Sequence, residues 1–373
     1  MNSKVQMDNI PTCIENNNQS INEPNAISRE FCSHFSTIGS KIQAETKSDI
    51  DPLSYLSSIS HKCKFSFKVV TVEEVSNVLK NLKNNKCNLN TIPNYLYKAA
   101  AHIIAKPLRA LFNESLLTGV FPSIYRTSRT IPLHKGGCRK LLNNYRPISL
   151  LSTTSKFLEK IVNNQLIEYF TKNSLFSDFQ YGFRKNHSTQ DINNVLLEKI
   201  YYELNAKSNI IITFLDLKKA FDTVDIDILI KKLKFYGLND ISLSWFSSYL
   251  KGRSVTVSLG NKYHSEPQPI FASVPQGSVL GPTLFNIFIN DFKFSSKSIS
   301  YQYADDTSII NSHKDWTVLE RETNVCHVDT LNWLSANRLA LNLLKTVYMV
   351  ISNKKRVKLN ILMDGKKLTQ VST

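Results

Sequence analysis

The feature that most constrains this chain is a pair of adjacent aspartates, Asp305 and Asp306, inside a stretch that alternates in polarity. Apolar or aromatic residues stand at 299, 301 and 303, and Ile309 and Ile310 follow the acidic pair. This alternation predicts a strand, a tight turn and a second strand. Adjacent carboxylates raise each other's pKa unless a positive group lies between them, and a divalent cation such as Mg²⁺ suits oxygen ligands. Taken alone, the pair fits a merely soluble Asp-Asp turn equally well.

A second acidic position follows a buried strand. The run from Ile210 to Leu215 is apolar except for Thr213, which predicts a strand covered on both faces, and it ends in Asp216. An unpaired buried carboxylate is costly, so Asp216 needs a partner. Together with the hairpin acids it could hold two metal ions about 3.5–4 Å apart, an arrangement suited to nucleotidyl transfer.

These two stretches carry a family resemblance. Phe214-Leu-Asp-Leu-Lys-Lys-Ala-Phe-Asp222 and Tyr303-Ala-Asp-Asp306 resemble the palm of a reverse transcriptase, and more narrowly the polymerase of non-LTR (LINE-type, Jockey-like) retrotransposons. The resemblance implies an α+β, right-hand polymerase fold with fingers and an antiparallel palm sheet backed by helices, and with the thumb largely absent. It also implies an RNA template, a DNA primer and dNTPs as substrates. The implied catalytic and metal-binding residues are Asp216, Asp305 and Asp306, with two Mg²⁺ ions, or Mn²⁺ in their place.

The resemblance implies further contacts to the incoming nucleotide. It assigns two residues to the triphosphate: Lys135 in the basic block before Tyr145, and Arg146 in the string Tyr145-Arg-Pro-Ile-Ser149. Arginine offers phosphate a planar fork and lysine a mobile point charge, which agrees with that role. The alternative is a solvated basic hairpin that grips template phosphates without specificity. Lys345 is placed near the triphosphate as a proton donor to the leaving pyrophosphate, with an ordinary surface lysine as the alternative.

Two other strings indicate contacts with template and sugar. The string from Gln180 to Arg184 interleaves aromatic and basic residues, which suits stacking on a single-stranded template. Its alternative is a packed aromatic turn with a solvated arginine. Phe221, five places after Asp216, resembles the family's bulky aromatic residue that excludes a 2′-hydroxyl and so selects dNTPs. The alternative for Phe221 is a core residue.

The most specific string is Ala272-Ser-Val-Pro-Gln-Gly-Ser-Val-Leu-Gly-Pro282, a loop that opens a helix. By resemblance it supports the templating pair and the incoming nucleotide, through Gln276 as a hydrogen-bonding side chain and Gly277 as a point of close backbone approach. The bland alternative is a Gly/Pro helix entry without a ligand. Ser273 stands where the family usually has glycine, so it carries strain if that position needs a positive φ.

The predicted organisation has four parts. Residues 1–62 are a disordered arm and linker with a short helix, residues 63–208 the fingers side, residues 209–352 the palm, and residues 353–373 the start of a palm–thumb junction, after which a thumb would begin. The stretch Lys86 to Pro93 lacks the Gly and Asp that the family usually has there. The loop without Gly and Asp, and a chain that reaches only the start of the palm–thumb junction, support the main alternative. That alternative is a truncated, inactive copy that only binds nucleic acid. An RNA-templated RNA polymerase is disfavoured by Phe221.

Composition limits the partners. The formal net charge is +16, which indicates a polyanionic partner such as nucleic acid. The sequence has no apolar run near 18 residues and no signal peptide. We therefore expect an intracellular protein of the cytoplasm or nucleus that does not associate with a membrane. Its six cysteines form no Cys-x-x-Cys pair, which fits a reducing compartment. No protein partner is evident.

Overall fold

The computed structural model describes residues 11–16, 19–46, 48–57, 63–83, 92–260, 262–354 and 357–372. These residues form a mixed α/β protein. The helices are α1 (Pro24–Glu45), α2 (Val72–Lys80), α3 (Asn94–Ala99), α4 (Ala101–Thr118), α5 (Thr153–Lys172), α6 (Thr189–Asn205), α7 (Ile226–Phe235), α8 (Asp240–Leu250), α9 (Gly281–Phe288) and α10 (Trp316–Ala336). The strands are β1 (Ile14–Asn16), β2 (Gln19–Ile21), β3 (Thr127–His134), β4 (Tyr145–Leu150), β5 (Asn209–Leu215), β6 (Arg253–Leu259), β7 (Tyr263–His264), β8 (Gln268–Ile270), β9 (Ile299–Tyr303), β10 (Asp306–His313), β11 (Val347–Ile351), β12 (Leu362–Met363), β13 (Lys366–Lys367) and β14 (Thr369–Val371).

The chain divides into two compact units, and the first contains Met1–Ile38, Lys62–Asn173 and Leu233–Gly281. Its sheet has the order β4-β3-β6-β7, with β8 paired to β6. Strands β3 and β6 are parallel, and the other pairs are antiparallel. Phe31 of α1 packs with Tyr145, Val255 and Val257 in one buried cluster, which fixes the helix against this sheet.

The second unit contains Gly39–His61, Ser174–Lys232 and Pro282–Thr373. Its sheet has the order β14-β11-β5-β10-β9, and every pair is antiparallel except the parallel pair β11–β14. The central strand β5 is apolar along nearly its whole length, and Ile210, Ile211, Ile212 and Leu215 are buried. The strand is therefore covered on both faces, as its sequence predicts.

Helices α6 and α10 cover opposite faces of this second sheet. Ile200 of α6 packs with Ile212 of β5, whereas His327 of α10 hydrogen-bonds to Thr213, the next residue of the strand. Successive side chains of a strand point to opposite faces, so the two helices enclose β5 between them. The hairpin of β9 and β10 joins the sheet beside β5, with Thr307 of β10 opposite Leu215.

In the N-terminal region the expected short helix is present within a longer helix, but parts of the expected disordered arm and linker are structured. Helix α1 begins at Pro24 and continues to Glu45, and a hairpin of β1 and β2 precedes it. Ile14 pairs with Ile21 across that hairpin and is fully buried. Two isoleucines in an otherwise polar arm thus provide enough apolar surface to attach it to a core. Residues 1–10, 17 and 18 lie outside the described residues.

The expected end at 62 lies one residue from the boundary between His61 and Lys62, whereas the expected ends at 208 and 352 fall inside the second unit. Each unit is built from three segments of chain. The assignment of fingers and palm to those ranges stays a prediction. The mixed α/β content is confirmed, whereas the right-hand arrangement also stays a prediction. Most of the Lys86–Pro93 loop lies outside the described residues. Among the helices that the structure describes, none is both long and apolar enough to cross a membrane.

Candidate active site

Asp216 lies directly after β5, in the second unit, and its surroundings hold it in place. Asn342 donates two hydrogen bonds to Asp216, from its side-chain amide to Oδ2 at 2.7 Å and from its backbone N–H to the carbonyl at 2.8 Å. The hydroxyl of Thr346 accepts a longer hydrogen bond from the backbone N–H of Asp216, at 3.4 Å. The residue is half-buried. The loop before β11 therefore fixes both the backbone and the carboxylate of Asp216.

The predicted hairpin is present, and its loop has two residues. Tyr303 pairs with Asp306, so only Ala304 and Asp305 lie between β9 and β10. Ala304 has a φ of 57°, whereas Asp305 is not among the residues with positive φ. A positive φ at the first loop position alone matches the type II′ pattern, which favours glycine there. A non-glycine residue in this conformation carries strain of about 1–3 kcal/mol.

The strand register brings the acidic positions together. Thr307 pairs with Leu215, and continuing the antiparallel ladder by one residue sets Asp306 beside Asp216. Residues that face each other across an antiparallel pair project on the same side of the sheet. The register thus favours one face for the central-strand aspartate and the hairpin aspartate, and their joint role as a site stays a prediction.

The charges of these acids act on one another. Although Asp306 stays exposed as a residue, partial burial of its carboxyl raises its pKa, and the charges of Asp305 and Asp216 raise it further. Among the described residues, neither Asp305 nor Asp306 forms an ion pair with a lysine, arginine or histidine. Within the described part of the chain, the negative charge of Asp305 and Asp306 is therefore not offset by an ion pair.

A metal site is not formed by the side chains as they stand. Within the described ranges, no group of three or more His, Cys, Asp or Glu residues is arranged to hold a metal ion. The chemistry of the donors nevertheless fits a hard divalent cation, since Asp216, Asp305 and Asp306 offer only oxygen and repel one another. The assignment of Mg²⁺ to these three residues stays a prediction.

Gln180 has a different position from the one predicted for a template contact. Its side chain is only 1% exposed, and its Oε1 accepts hydrogen bonds from the backbone N–H groups of Gly182 at 2.7 Å and Ala304 at 3.0 Å. Its Nε2 donates to the carbonyl of Ala304 at 3.2 Å. A buried amide engaged in this way cannot contact a template, so that assignment of Gln180 is corrected.

Arg184 supports the same segment. Its Nη1 donates to the carbonyls of Ser177 at 2.7 Å and Gln180 at 3.0 Å, and its guanidinium lies over the ring of Phe176. Burial lowers the pKa of Arg184. The arginine is therefore half-buried and partly occupied by its own loop, and its predicted contact with template stays a prediction.

Phe221 and Lys345 belong to the same unit. The ring of Phe221 stacks on Phe285 with centroids 4.4 Å apart and meets Phe183 edge-on at 6.1 Å. Phe221 is half-buried, so the ring packs on one side and still presents an edge. Lys345 is exposed, and its backbone N–H donates to the carbonyl of Asn342 at 3.0 Å. The backbone of Asn342 therefore hydrogen-bonds to the backbones of both Lys345 and Asp216.

The remaining predicted residues lie in the first unit. Strands β3 and β4 form an antiparallel pair with Leu133 opposite Arg146, and the backbone N–H of Lys135 extends the ladder to Asn144. Alternation along the strands places Lys135 and Arg146 on the same face of this hairpin, and both are exposed. The pair therefore forms a basic surface of the kind that binds phosphate.

The loop before α9 lies against β4 within this unit. The backbone N–H of Ser149 donates to the carbonyl of Gln276 at 3.0 Å. Gly277 has a φ of 98°, and a Cβ there would lie 2.7 Å from the carbonyl oxygen of Ser149. Only glycine fits that close approach. Ser273 has a φ of 119°, so the expected strain at this departure from the family pattern is confirmed.

A buried acid that the sequence analysis missed holds this loop. Glu159 of α5 is fully buried, and its Oε2 accepts hydrogen bonds from the backbone N–H groups of Val279 at 2.8 Å and Leu280 at 3.4 Å. Its Oε1 accepts from the hydroxyl of Ser155 at 2.9 Å. Burial raises the pKa of Glu159 despite these bonds. The signal was an acid on the apolar stripe of α5, next to Leu158.

Asn342 was missed for a different reason. It lies in the loop before β11, and an asparagine in a loop has many ordinary roles. Its partner Asp216 lies 126 residues away in the sequence. Only the pairing of the segments next to β5 and β11 reveals the contact.

Comparison with known proteins gives a consistent result. The sequence model of the family described as reverse transcriptase (RNA-dependent DNA polymerase) matches residues 133–365. The chain is 32% identical over 261 residues to the "Probable RNA-directed DNA polymerase from transposon BS" of Drosophila melanogaster. The aligned region covers 66% of this chain and 28% of that protein. The chain is 31% identical over 255 residues to the RNA-directed DNA polymerase from mobile element jockey of the same species, covering 66% and 28%.

A more distant relative is the Retrovirus-related Pol polyprotein from type-1 retrotransposable element R2 of Popillia japonica. It is 24% identical over 245 residues, which cover 64% of this chain and 34% of that protein. The match thus spans 28% of the length of each of the two more similar relatives. The predicted resemblance to polymerases of non-LTR, Jockey-like retrotransposons is confirmed.

Proposed function

Because the chain belongs to the reverse transcriptase (RNA-dependent DNA polymerase) family, we propose that it carries the polymerase chemistry of a non-LTR retrotransposon. In this reaction a primer 3′-hydroxyl attacks the α-phosphate of a dNTP on an RNA template, and pyrophosphate leaves. The observation that supports the proposal is the register of β5 and β10, in which Thr307 pairs with Leu215 and the next residues along the two strands are Asp306 and Asp216. We propose that the protein acts inside the cell.

In this proposal Asp216, Asp305 and Asp306 hold two Mg²⁺ ions, with Mn²⁺ as a substitute. When bound, the ions would supply Lewis acidity at the attacking and leaving oxygens. The carboxylates themselves orient the site. Partial burial, and then the charges of Asp305 and Asp216, raise the pKa of Asp306, and such mutual repulsion favours a bound cation. Asn342 keeps the carboxylate of Asp216 in a fixed rotamer.

The other residues bind and select the nucleotide. Lys135 and Arg146 bind the triphosphate, because exposed cations on one face of a hairpin suit a polyanion. Lys345 donates a proton to the leaving pyrophosphate. The ring of Phe221 excludes a 2′-hydroxyl, while Gln276 and Gly277 support the nascent base pair. Arg184 contacts template phosphate.

Primer extension on purified protein tests this function. The assay uses an RNA template, an annealed DNA primer and labelled dNTPs, with Mg²⁺ present or chelated. We expect template-dependent incorporation of dNTPs that stops on chelation. Incorporation of rNTPs in preference to dNTPs would contradict the assignment of Phe221 and favour an RNA-templated RNA polymerase.

A second candidate function is nucleic-acid binding without polymerisation. It is favoured by one observation, namely the formal net charge of +16, which suits a polyanionic partner whether or not polymerisation follows. RNA binding measured across a salt titration separates the candidates, since binding through phosphate contacts weakens steeply with salt. Salt-dependent binding with no extension under any metal condition would favour this second candidate.

A further inference from the structure

A buried glutamine, Gln180, hydrogen-bonds to the loop that carries the acidic pair. From this contact we propose that Gln180 is a positioning residue, which keeps Ala304 in its strained conformation and thereby sets where Asp305 and Asp306 project. The inference rests on the proposed polymerase function and adds a residue to its machinery. Gln180 lies 124 residues before Ala304 in the sequence.

The side chain of Gln180 hydrogen-bonds to both backbone polar groups of Ala304. Oε1 of Gln180 accepts from the N–H of Ala304 at 3.0 Å, and Nε2 donates to the carbonyl of Ala304 at 3.2 Å. An amide side chain offers a donor and an acceptor on two separate atoms at one end without charge, whereas a hydroxyl has both on one oxygen. A carboxylate here would add repulsion to Asp305 and Asp306, whereas the neutral amide adds none. Gln180 thus fits the loop chemically as well as geometrically.

The residue that Gln180 holds is the strained one. Ala304 has a φ of 57°, in a region that alanine adopts at a cost. Strain of this kind persists only where surrounding contacts over-determine the conformation. Ala304 is the first of the two loop residues between the β9–β10 pair, and Asp305 is the second. Relaxation of Ala304 would therefore redirect both carboxylates.

The segment that carries Gln180 is itself fixed. The backbone N–H of Tyr181 donates to the carbonyl of Gln302 at 2.8 Å, which joins the segment to β9. Asn286 donates to the carbonyl of Gly182 at 2.7 Å. A Cβ on Gly182 would lie 2.1 Å from the backbone nitrogen of Ala304, so this glycine permits direct contact with the loop. The support for the acidic hairpin is therefore rigid on both sides.

The test combines Gln180→Met with Ala304→Gly. Methionine keeps the length of the side chain and removes its hydrogen bonds. Glycine adopts positive φ without penalty, so Ala304→Gly should remove the need for the hydrogen bonds from Gln180. For Gln180→Met we expect amide exchange in residues 301–307 to accelerate about tenfold or more, and kcat for primer extension to fall about 10–100-fold with little change in the dNTP KM. The double variant should recover most of both losses.

Gln165→Met is the matched control. Gln165 is 8% exposed and holds Lys68 in the same manner, accepting from its N–H at 2.9 Å and donating to its carbonyl at 3.1 Å. Its substitution removes an equivalent buried amide at a position outside the proposed machinery. We expect kcat and exchange in residues 301–307 to stay at the wild-type value. A purely structural role for Gln180 would make the two methionine variants behave alike.

Three results would overturn the inference: unchanged hairpin exchange and kcat in Gln180→Met, no recovery in the double variant, or an equal loss of kcat in Gln165→Met. If Gln180→Met does not fold, Gln180→Asn replaces it, since asparagine keeps the amide but is one methylene too short to reach Ala304; the same outcomes apply. If the wild-type protein extends no primer, the proposed function fails, while exchange of the hairpin still decides the role of Gln180.

Discussion

The side-chain amide of Asn342 donates a 2.7 Å hydrogen bond to Oδ2 of Asp216, and the backbone N–H of Asn342 binds the carbonyl of the same residue. The acid at the end of the central strand is thus held by a residue that precedes β11. Contacts of this kind orient a metal-binding side chain without taking part in the reaction.

Asn342→Ala tests that relationship. We expect kcat for primer extension to fall about 10–100-fold, because the carboxylate of Asp216 loses the bond that fixes its rotamer. The control is Asn324→Ala, which removes an asparagine that binds the backbone of Leu362 and Asn360. Wild-type kcat in Asn342→Ala would show that Asp216 is oriented by other contacts.

Ser273→Gly should stabilise the protein. The φ of 119° at Ser273 suits glycine, and relief of backbone strain of this kind contributes about 1–3 kcal/mol to the free energy of unfolding. Ser123→Gly serves as control, since Ser123 lies in a 3₁₀ helix and has no positive φ, so glycine should lower stability there. Chemical denaturation measures the free energy of unfolding of both variants. A loss of stability in Ser273→Gly would contradict the claim that the backbone at Ser273 is strained.

Glu159→Gln should change how stability depends on pH. Burial raises the pKa of Glu159 in the folded protein, so its stabilising contribution is full below the unfolded pKa and is lost as pH rises through the folded pKa. Glutamine keeps an acceptor for Val279 and carries no charge to desolvate. We therefore expect the melting temperature of the variant, relative to wild type, to increase from pH 4 to pH 8.

The control for Glu159 is an acid on the same helix with the opposite shift. The hydrogen bond from Lys68 lowers the pKa of Glu168, which is exposed. Glu168→Gln should change stability little, and any loss should appear as pH rises rather than falls. A pH-independent difference between Glu159→Gln and wild type would contradict the raised pKa of Glu159.

Phe221→Val tests the selection of sugar. Valine keeps part of the packing on Phe285 and removes the ring that would meet a 2′-hydroxyl. We expect the preference for dNTPs over rNTPs, as a ratio of kcat/KM values, to fall about 10–200-fold. Phe183→Val changes an exposed neighbouring ring and should leave the ratio intact. An unchanged ratio in Phe221→Val would make Phe221 a core residue only.

The acids could be predicted from the sequence because their placement depends on local patterns. An apolar run fixes β5, alternation fixes the hairpin, and the parity of an antiparallel register then decides which side chains share a face. Asp216 and Asp306 follow from these rules. Ser273 was also predictable, since a position that the family usually fills with glycine signals positive φ.

Other contacts could not be predicted, because they join segments distant in sequence. A glutamine next to aromatic and basic residues resembles a template contact, and nothing local shows that Gln180 turns inward to Ala304. Helix α1 was underestimated because its polar first turn resembles the arm before it. Glu159 was overlooked because an acid within an amphipathic helix is ordinarily exposed.

The central claim is that the acids of the second sheet perform the chemistry, and Asp305→Asn tests it most directly. Extension of an RNA-templated primer should fall by more than about 10³-fold, while salt-dependent RNA binding stays unchanged. At pH 8 the melting temperature should hold or rise, because Asp306 loses a repelling neighbour. Asp315→Asn is the control, since asparagine also caps α10. Wild-type extension in Asp305→Asn would contradict the account.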